Sequence, residues 1–228
     1  TSQYPLFVTL HLGLSQLMET ISQQSQRISE IADTLPKIAH DQFYKEQLYQ
    51  SIISTNEIEG IHTTRKELVD VEKLLEEDPY KTEQIKHLST LRMYQQILKD
   101  EFLQIQSLED IRGIYDQLTQ GEISPENQLD GELFRQKSVF IQDDKTSKVI
   151  YVPPQKEEQI QVMLTEWIRF INDHSIPNLI KACAGHYFFE NIHPFYDGNG
   201  RTGRYILAKY LSRKLDKFSG FIPTNQSP

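Results

Sequence analysis

Apolar residues recur at helical spacing along most of the chain. Over residues 154–172 they fall at Ile160, Met163, Leu164, Trp167, Ile168 and Ile171, steps of three and four that build one face. The same spacing follows Ser107, through Leu108, Ile111, Ile114, Tyr115 and Leu118, and Ser107 with Asp110 forms a capping-box pattern. Thr64-Arg65-Lys66-Glu67 is a full capping box leading into Leu68, Val71, Leu74 and Leu75. Residues 41–53 and 84–102 read as two further helices.

Two stretches depart from that pattern. After the break at Ile176-Pro177, residues 178–191 carry apolar side chains on most faces (Leu179, Ile180, Ala182, Cys183, Ala184, Tyr187, Phe188, Phe189), which predicts a central, buried helix. Residues 138–152 place two β-rich runs, Val139-Phe140-Ile141 and Val149-Ile150-Tyr151-Val152, on either side of a polar turn, a hairpin signal that Pro153-Pro154 ends. Residues 121–131 are polar and read as a loop. The expectation is an all-α chain with one small hairpin, divided into an N-terminal helical region (1–105) and a core (106–228) packed as one unit.

Composition narrows the function classes. The chain has 228 residues and a net charge of −8, acidic enough to argue against sequence-independent DNA binding. Its one cysteine, Cys183, rules out a disulfide framework or a thiolate zinc site within one chain. No apolar run approaches the ~20 residues of a membrane span. The first residues, TSQYPLF, lack the basic start and apolar stretch of a signal peptide, so a cytoplasmic setting without a membrane anchor is expected.

The chemistry concentrates in residues 193–204, HPFYDGNGRTGR. Pro194 disfavours helix at His193, so the apolar helix stops there. Gly198-Asn199-Gly200 permits positive φ and close backbone approach, and successive N–H groups feeding a helix N-terminus form an anion nest. Arg201 and Arg204 fall in the first turn of the next helix, predicted from 201 to about 215. Two cations there oppose the helix dipole, and an anion offsets that cost. Asp197 is placed to hold Mg²⁺ together with phosphate oxygens, and His193 has the pKa range of a general base. Taken singly, a Gly-Asn-Gly is a turn and a His before Pro is a helix end; the combination within twelve residues points to phosphate. A competing pattern, Glu59-x-x-His62 with Glu190-x-x-His193, has di-iron spacing. Gly60 and Pro194 interrupt the helices such a site needs. His186 and Glu190 read as core and helix-side residues.

This segment resembles the signature of Fic-domain proteins, matched at His193, Phe195, Asp197, Gly198, Asn199, Gly200, Arg201 and Arg204. The resemblance extends over roughly residues 107–215, and the hairpin corresponds to the family's flap. It implies a Fic-type helical bundle and transfer of AMP from ATP to a Ser, Thr or Tyr hydroxyl of a target protein, the chain itself included. His193 would be the base and Asp197 the Mg²⁺ ligand. Gly198, Asn199, Gly200, Thr202 and Gly203 would belong to the ATP-contacting loop, with Arg201 on the β-phosphate and Arg204 on the γ-phosphate. Phe195 would anchor the loop from inside. Val149, Ile150 and Tyr151 would line the nucleotide pocket beside the flap edge that aligns the target. Thr55-x-x-x-Glu59-Gly60 resembles the family's inhibitory motif, which implies that Glu59 pairs with Arg204 and displaces the γ-phosphate. Alternatives within the resemblance are a regulatory nucleotide-binding module, removal of AMP with Glu59 positioning a water, and transfer of other groups. The family also leads to an expectation of further helices after residue 228, and its helical faces allow a homodimer.

Overall fold

A computed structural model describes residues 8–78, 85–98, 104–142, 146, 148–216 and 219–220. Among them are eight helices and one two-stranded sheet: α1 (Leu12–Asp33), α2 (Lys37–Ile58), α3 (Arg65–Glu77), α4 (Leu88–Leu98), α5 (Leu108–Leu118), β1 (Ile141–Gln142), β2 (Val149–Tyr151), α6 (Glu157–Asn172), α7 (Asn178–Ile192) and α8 (Asn199–Lys214). The expected helical bundle with a small hairpin is the fold found.

Both capping boxes form. Thr64 accepts from Glu67 N while Glu67 reaches back to Thr64 N, and Ser107 does the same with Asp110. Each such N-cap contributes about 1 kcal/mol. α2 is longer than the 41–53 expected, and it ends where Gly60 turns left-handed, at φ 71°. The helix expected over 84–102 is α4; residues 84 and 99–102 lie outside the described residues. α6 starts at Glu157, past Pro153-Pro154.

One core runs through both halves of the chain. It joins Leu48, Tyr49 and Ile52 of α2, Leu68 of α3 and Leu91 of α4 to Ile111 of α5, Leu164 and Trp167 of α6, Phe189 of α7 and Tyr205 of α8. α7 lies between α6 and α8. Gly185 gives α6 its close approach, and the Trp167 indole N–H donates to the Gly185 carbonyl at 2.7 Å. α7 is less sealed than its composition suggested: Ala182, Gly185, Phe189 and Ile192 are buried, but Cys183 and Tyr187 face solvent. Met163 of α6 is likewise exposed.

α1 had no counterpart among the predicted elements. Its inward face runs through half-buried Leu14, Met18 and Ile21 to buried Ser25 and Ala32, while Leu17, Ile28 and Ile31 are exposed. The hairpin is shorter than its β-rich runs, with Ile141 opposite Tyr151, Gln142 opposite Val149 and an irregular register between them. Residues 143–145 and 147 of its turn lie outside the described residues. The 121–131 stretch holds one short 3-10 turn, Pro125–Asn127. Among the described residues no helix is long and apolar enough to cross a membrane.

Candidate active site

The site is built where α7 stops and α8 begins. His193 caps α7 in the left-handed conformation, φ 50° and ψ 61°. That geometry is uncommon for a residue with a Cβ, though His is among those that adopt it most often. Phe195 is fully buried and stacks on Tyr115 with ring centroids 3.8 Å apart. Asn199 then closes the loop: its Oδ1 accepts from Phe195 N at 2.9 Å, and its Nδ2 donates to Phe195 O at 2.8 Å. The inward anchor implied for Phe195 is thus present, and the Asn side chain serves as a brace.

The two glycines of the Gly-Asn-Gly run have different reasons. Gly198 supplies positive φ, 83°, at the cap of α8. Gly200 is helical, because α8 begins at Asn199, two residues earlier than expected. It leaves space instead: a Cβ there would strike the Glu59 carboxylate and the Arg204 guanidinium. Gly203 makes the same room for Glu190. With Gly198 as N-cap, α8 has no side-chain cap. Its first backbone N–H groups have no acceptor within the helix, the kind of helix start that can receive an anion.

Both arginines are engaged by the chain's own carboxylates. Arg201 NH1 lies 2.7 Å from Glu122 Oε2, and its NH2 is 3.6 Å from Asp197 Oδ1. Arg204 donates from Nε to Thr55 Oγ1 at 2.7 Å and from NH2 to Thr55 O at 3.2 Å, and it is ion-paired with Glu59. Glu122 and Glu59 therefore supply the negative charge that two cations at a helix start require. The arginines part company, one toward the loop after α5 and the other toward the end of α2.

His193 is half-buried, and burial pulls its pKa below the usual imidazole value. The Glu190 carbonyl opposes that shift, the Arg135 charge adds to it and the Glu59 charge opposes it. His193 Nδ1 lies 3.3 Å from Glu190 O, a carbonyl that can only accept. The proton is therefore assigned to Nδ1, leaving Nε2 as the free base.

Several residues of the site were not singled out from the sequence. Arg135 is fully buried; it donates to His193 O at 2.8 Å, Lys137 O at 2.9 Å and Pro154 O at 2.8 Å, tying His193 to the foot of the hairpin. Glu157, at the start of α6, accepts from the backbone N–H groups of Glu132, Leu133 and Phe134 and holds the segment that presents Arg135. Glu122 is described above. Glu190, read as a helix-side residue, sits behind Arg204, and burial pushes its pKa to about 7 against the pull of the Arg204 charge. The local cue was its position at i−3 from His193; the others reach the site only through tertiary packing.

On the hairpin, Val149 and Ile150 are exposed and Tyr151 is half-buried. Among the described residues no three His, Cys, Asp or Glu gather to hold a metal. Glu59 is committed to Arg204, and His193 is turned at a helix end, so the two Glu-x-x-His patterns do not face one another as a di-iron pair. Asp197 is a single, partly exposed carboxylate whose Oδ1 already accepts from Gly198 N at 2.6 Å. One carboxylate fits Mg²⁺, which takes its remaining ligands from phosphate oxygens and water.

The chain is thus a helical bundle in which α7 gives way to a loop braced by Asn199 and flanked by two arginines, each paired with a carboxylate. Residues 105–211 match the model described as the Fic/DOC family. The chain is 28% identical over 223 residues to the protein adenylyltransferase Fic of Nematostella vectensis, covering 91% of this chain and 46% of that protein. It is 30% identical over 95 residues to the protein of the same name from Drosophila grimshawi, covering 41% and 18% respectively. The chain thus spans less than half the length of these relatives. Among solved structures, a Fic family protein from Desulfovibrio desulfuricans G20 superposes with a TM-score of 0.68 at 18% identity, over 96% of this chain and 63% of that one. A Fic-1 fragment from C. elegans gives 0.58 at 20% identity, over 88% and 58%. These likenesses share the fold.

Proposed function

We propose that this chain is a protein adenylyltransferase that moves AMP from ATP to a hydroxyl of a protein, and that Glu59 holds it in check. The observation that carries the reading is the complete loop from His193 to Arg204 with Arg204 gripped by Glu59 and Thr55. The names of the Nematostella and Drosophila relatives support the reaction class.

The groups divide the work as follows. His193 Nε2 takes the proton of a Ser, Thr or Tyr hydroxyl, and that oxygen attacks the α-phosphorus of ATP. The new P–O bond forms as the bond to the β-phosphate oxygen breaks, and pyrophosphate leaves. The N–H groups at the start of α8 and the Arg201 side chain receive the β-phosphate region, with Thr202 and Gly203 shaping the turn behind it. Arg204 receives the γ-phosphate once Glu59 has let go. Asp197 is the residue to hold Mg²⁺, which when bound neutralises phosphate charge. Most of the rate comes from charge neutralisation and in-line placement. The hairpin with Val149, Ile150 and Tyr151 borders the site and offers an edge to which an extended target segment adds. The N-terminal helices of residues 1–105 act as the brake, and residues 106–228 as the catalytic unit.

The brake is a matter of occupancy. Glu59 takes the guanidinium that the γ-phosphate needs, so ATP binds with its phosphates displaced, and a displacement of about 1 Å costs on the order of 10²-fold in rate. The reaction is tested with Glu59→Gly protein, a lysate and ATP labelled at the α- or the γ-phosphate. Label is expected in protein from α-labelled ATP alone, and not when His193→Ala is added. Incorporation from γ-labelled ATP, or undiminished incorporation without His193, overturns the assignment.

A further inference from the structure

Glu122 differs in kind from Glu59, although each carboxylate holds one of the two arginines. Both oxygens of Glu122 are committed: Oε2 accepts from Arg201 NH1 at 2.7 Å, and Oε1 accepts from the backbone N–H of His87 at 3.1 Å. His87 is itself fixed. It is buried in the left-handed conformation, φ 67°, and its ring meets Asn56 Nδ2 and Thr63 Oγ1, each at 3.3 Å. Asn56 lies on the last turn of α2, three residues before Glu59. Glu59 by contrast caps a helix, and its side chain is 25% exposed against 12% for Glu122.

A carboxylate held at both oxygens does not swing aside for an incoming phosphate as a displaceable competitor must. Glu122 occupies NH1 of Arg201 and leaves NH2 toward Asp197. Arg201 Nε is buried with no hydrogen-bond partner among the described residues, so the guanidinium retains donor capacity. We propose that Glu122 is a positioning residue: it clamps one edge of Arg201 so that the other edge faces the 197–200 loop, and it thereby makes the site selective for nucleotides with at least two phosphates. The proposal deepens the nucleotide reading given above and rests on it.

The test is titration calorimetry of ADP and AMP on the full chain carrying Glu59→Gly, so that Arg204 is free, with and without Glu122→Gln. An amide cannot accept from both His87 N–H and Arg201, because one of them then faces its NH₂ group. The expected result is ADP binding weakened about tenfold with AMP changed less than about twofold, since misaligning a charge-assisted contact affects only the ligand that makes it. Glu122→Asp, which keeps the charge on a side chain one methylene too short to hold both His87 N–H and Arg201, is expected to lose part of the ADP preference, less than Gln loses. Should Glu122→Gln fail to fold by thermal melting, the ADP-to-AMP affinity ratio of Glu122→Asp is the deciding number, and a ratio equal to the parent's overturns the proposal. Equal weakening of both nucleotides assigns Glu122 a purely structural role, and tighter ADP binding makes it a competitor like Glu59; either overturns the proposal. A parent that binds neither nucleotide overturns the nucleotide reading itself, before Glu122 is at issue.

Discussion

The loop between α7 and α8 and the hairpin between α5 and α6 are linked through Arg135 but are built on opposite terms. In the loop, Phe195 is sealed under Tyr115, Asn199 bonds Phe195 twice, and Arg135 grips the His193 carbonyl. The hairpin has two short, irregularly paired strands, and it turns Phe140, Val149 and Ile150 outward. On the function proposed above, the contrast separates two tasks. Chemistry at phosphorus needs donors held to within a fraction of an ångström. Reading an extended target needs an open backbone edge. Arg135 joins the two, since it bonds both His193 O and the carbonyls of Lys137 and Pro154.

The comparison breaks hardest at Phe195. Phe195→Ala removes a fully buried ring, and about 3–5 kcal/mol of stability is expected to go with it. A denaturant melt would show this as a lower midpoint at unchanged slope. Loss of under about 1 kcal/mol would mean the loop is not held from inside.

A second effect concerns acid. His87 is buried with its pKa lowered to about 4, chiefly by burial with the Lys86 charge adding. The unfolded chain then binds a proton on this residue that the folded chain refuses, from about pH 6.5 downward. Stability is therefore expected to be complete above that pH, to fall as pH drops toward 4, and to level off below. Unfolding midpoints measured across that window for the wild type and His87→Gly, which keeps the left-handed turn, check it. The acid-dependent loss should shrink in the variant.

Catalysis has its own pH signature. Because His193 titrates below the ordinary imidazole range, its base form persists into mild acid, so the acid limb of kcat/KM for AMP transfer is expected below pH 6.5. Removing Glu59 removes a charge that raises this pKa and should move the limb lower still.

The smallest effect on the fold belongs to the hairpin. Ile150→Glu alters a side chain that is 66% exposed, so stability is expected to change by less than about 0.5 kcal/mol. The KM for a protein target should rise, and the ATP KM with it, since Ile150 is expected at both the flap edge and the nucleotide pocket. Unchanged values of both would remove Ile150 from the site.

What could be read from the sequence was local. The 193–204 loop is contiguous, so its glycines, arginines and histidine announced themselves together, and Thr64-Glu67 and Ser107-Asp110 marked two helix starts by their spacing alone. Glu122 and Arg135 lie 79 and 58 residues from the groups they hold, with no spacing rule to join them. Gly200 looked like a turn residue; its actual reason, clearance for Glu59, exists only when α2 and α8 are packed. α1 carries Leu14, Met18 and Ile21 at helical spacing on its inward side, but the stripe continues through Ser25 and Ala32 while Leu17, Ile28 and Ile31 lie outside, which blurs it.

The central claim is that a complete phosphate loop is withheld by one carboxylate. Intact-mass spectrometry of wild type, Glu59→Gly and Glu59→Gly/His193→Ala, each incubated with ATP, Mg²⁺ and lysate, tests it most directly. AMP adducts on protein are expected with Glu59→Gly at least about tenfold above wild type, in keeping with the rate cost of misplaced phosphates, and none with the double variant. Equal adduct levels in wild type and Glu59→Gly would contradict it.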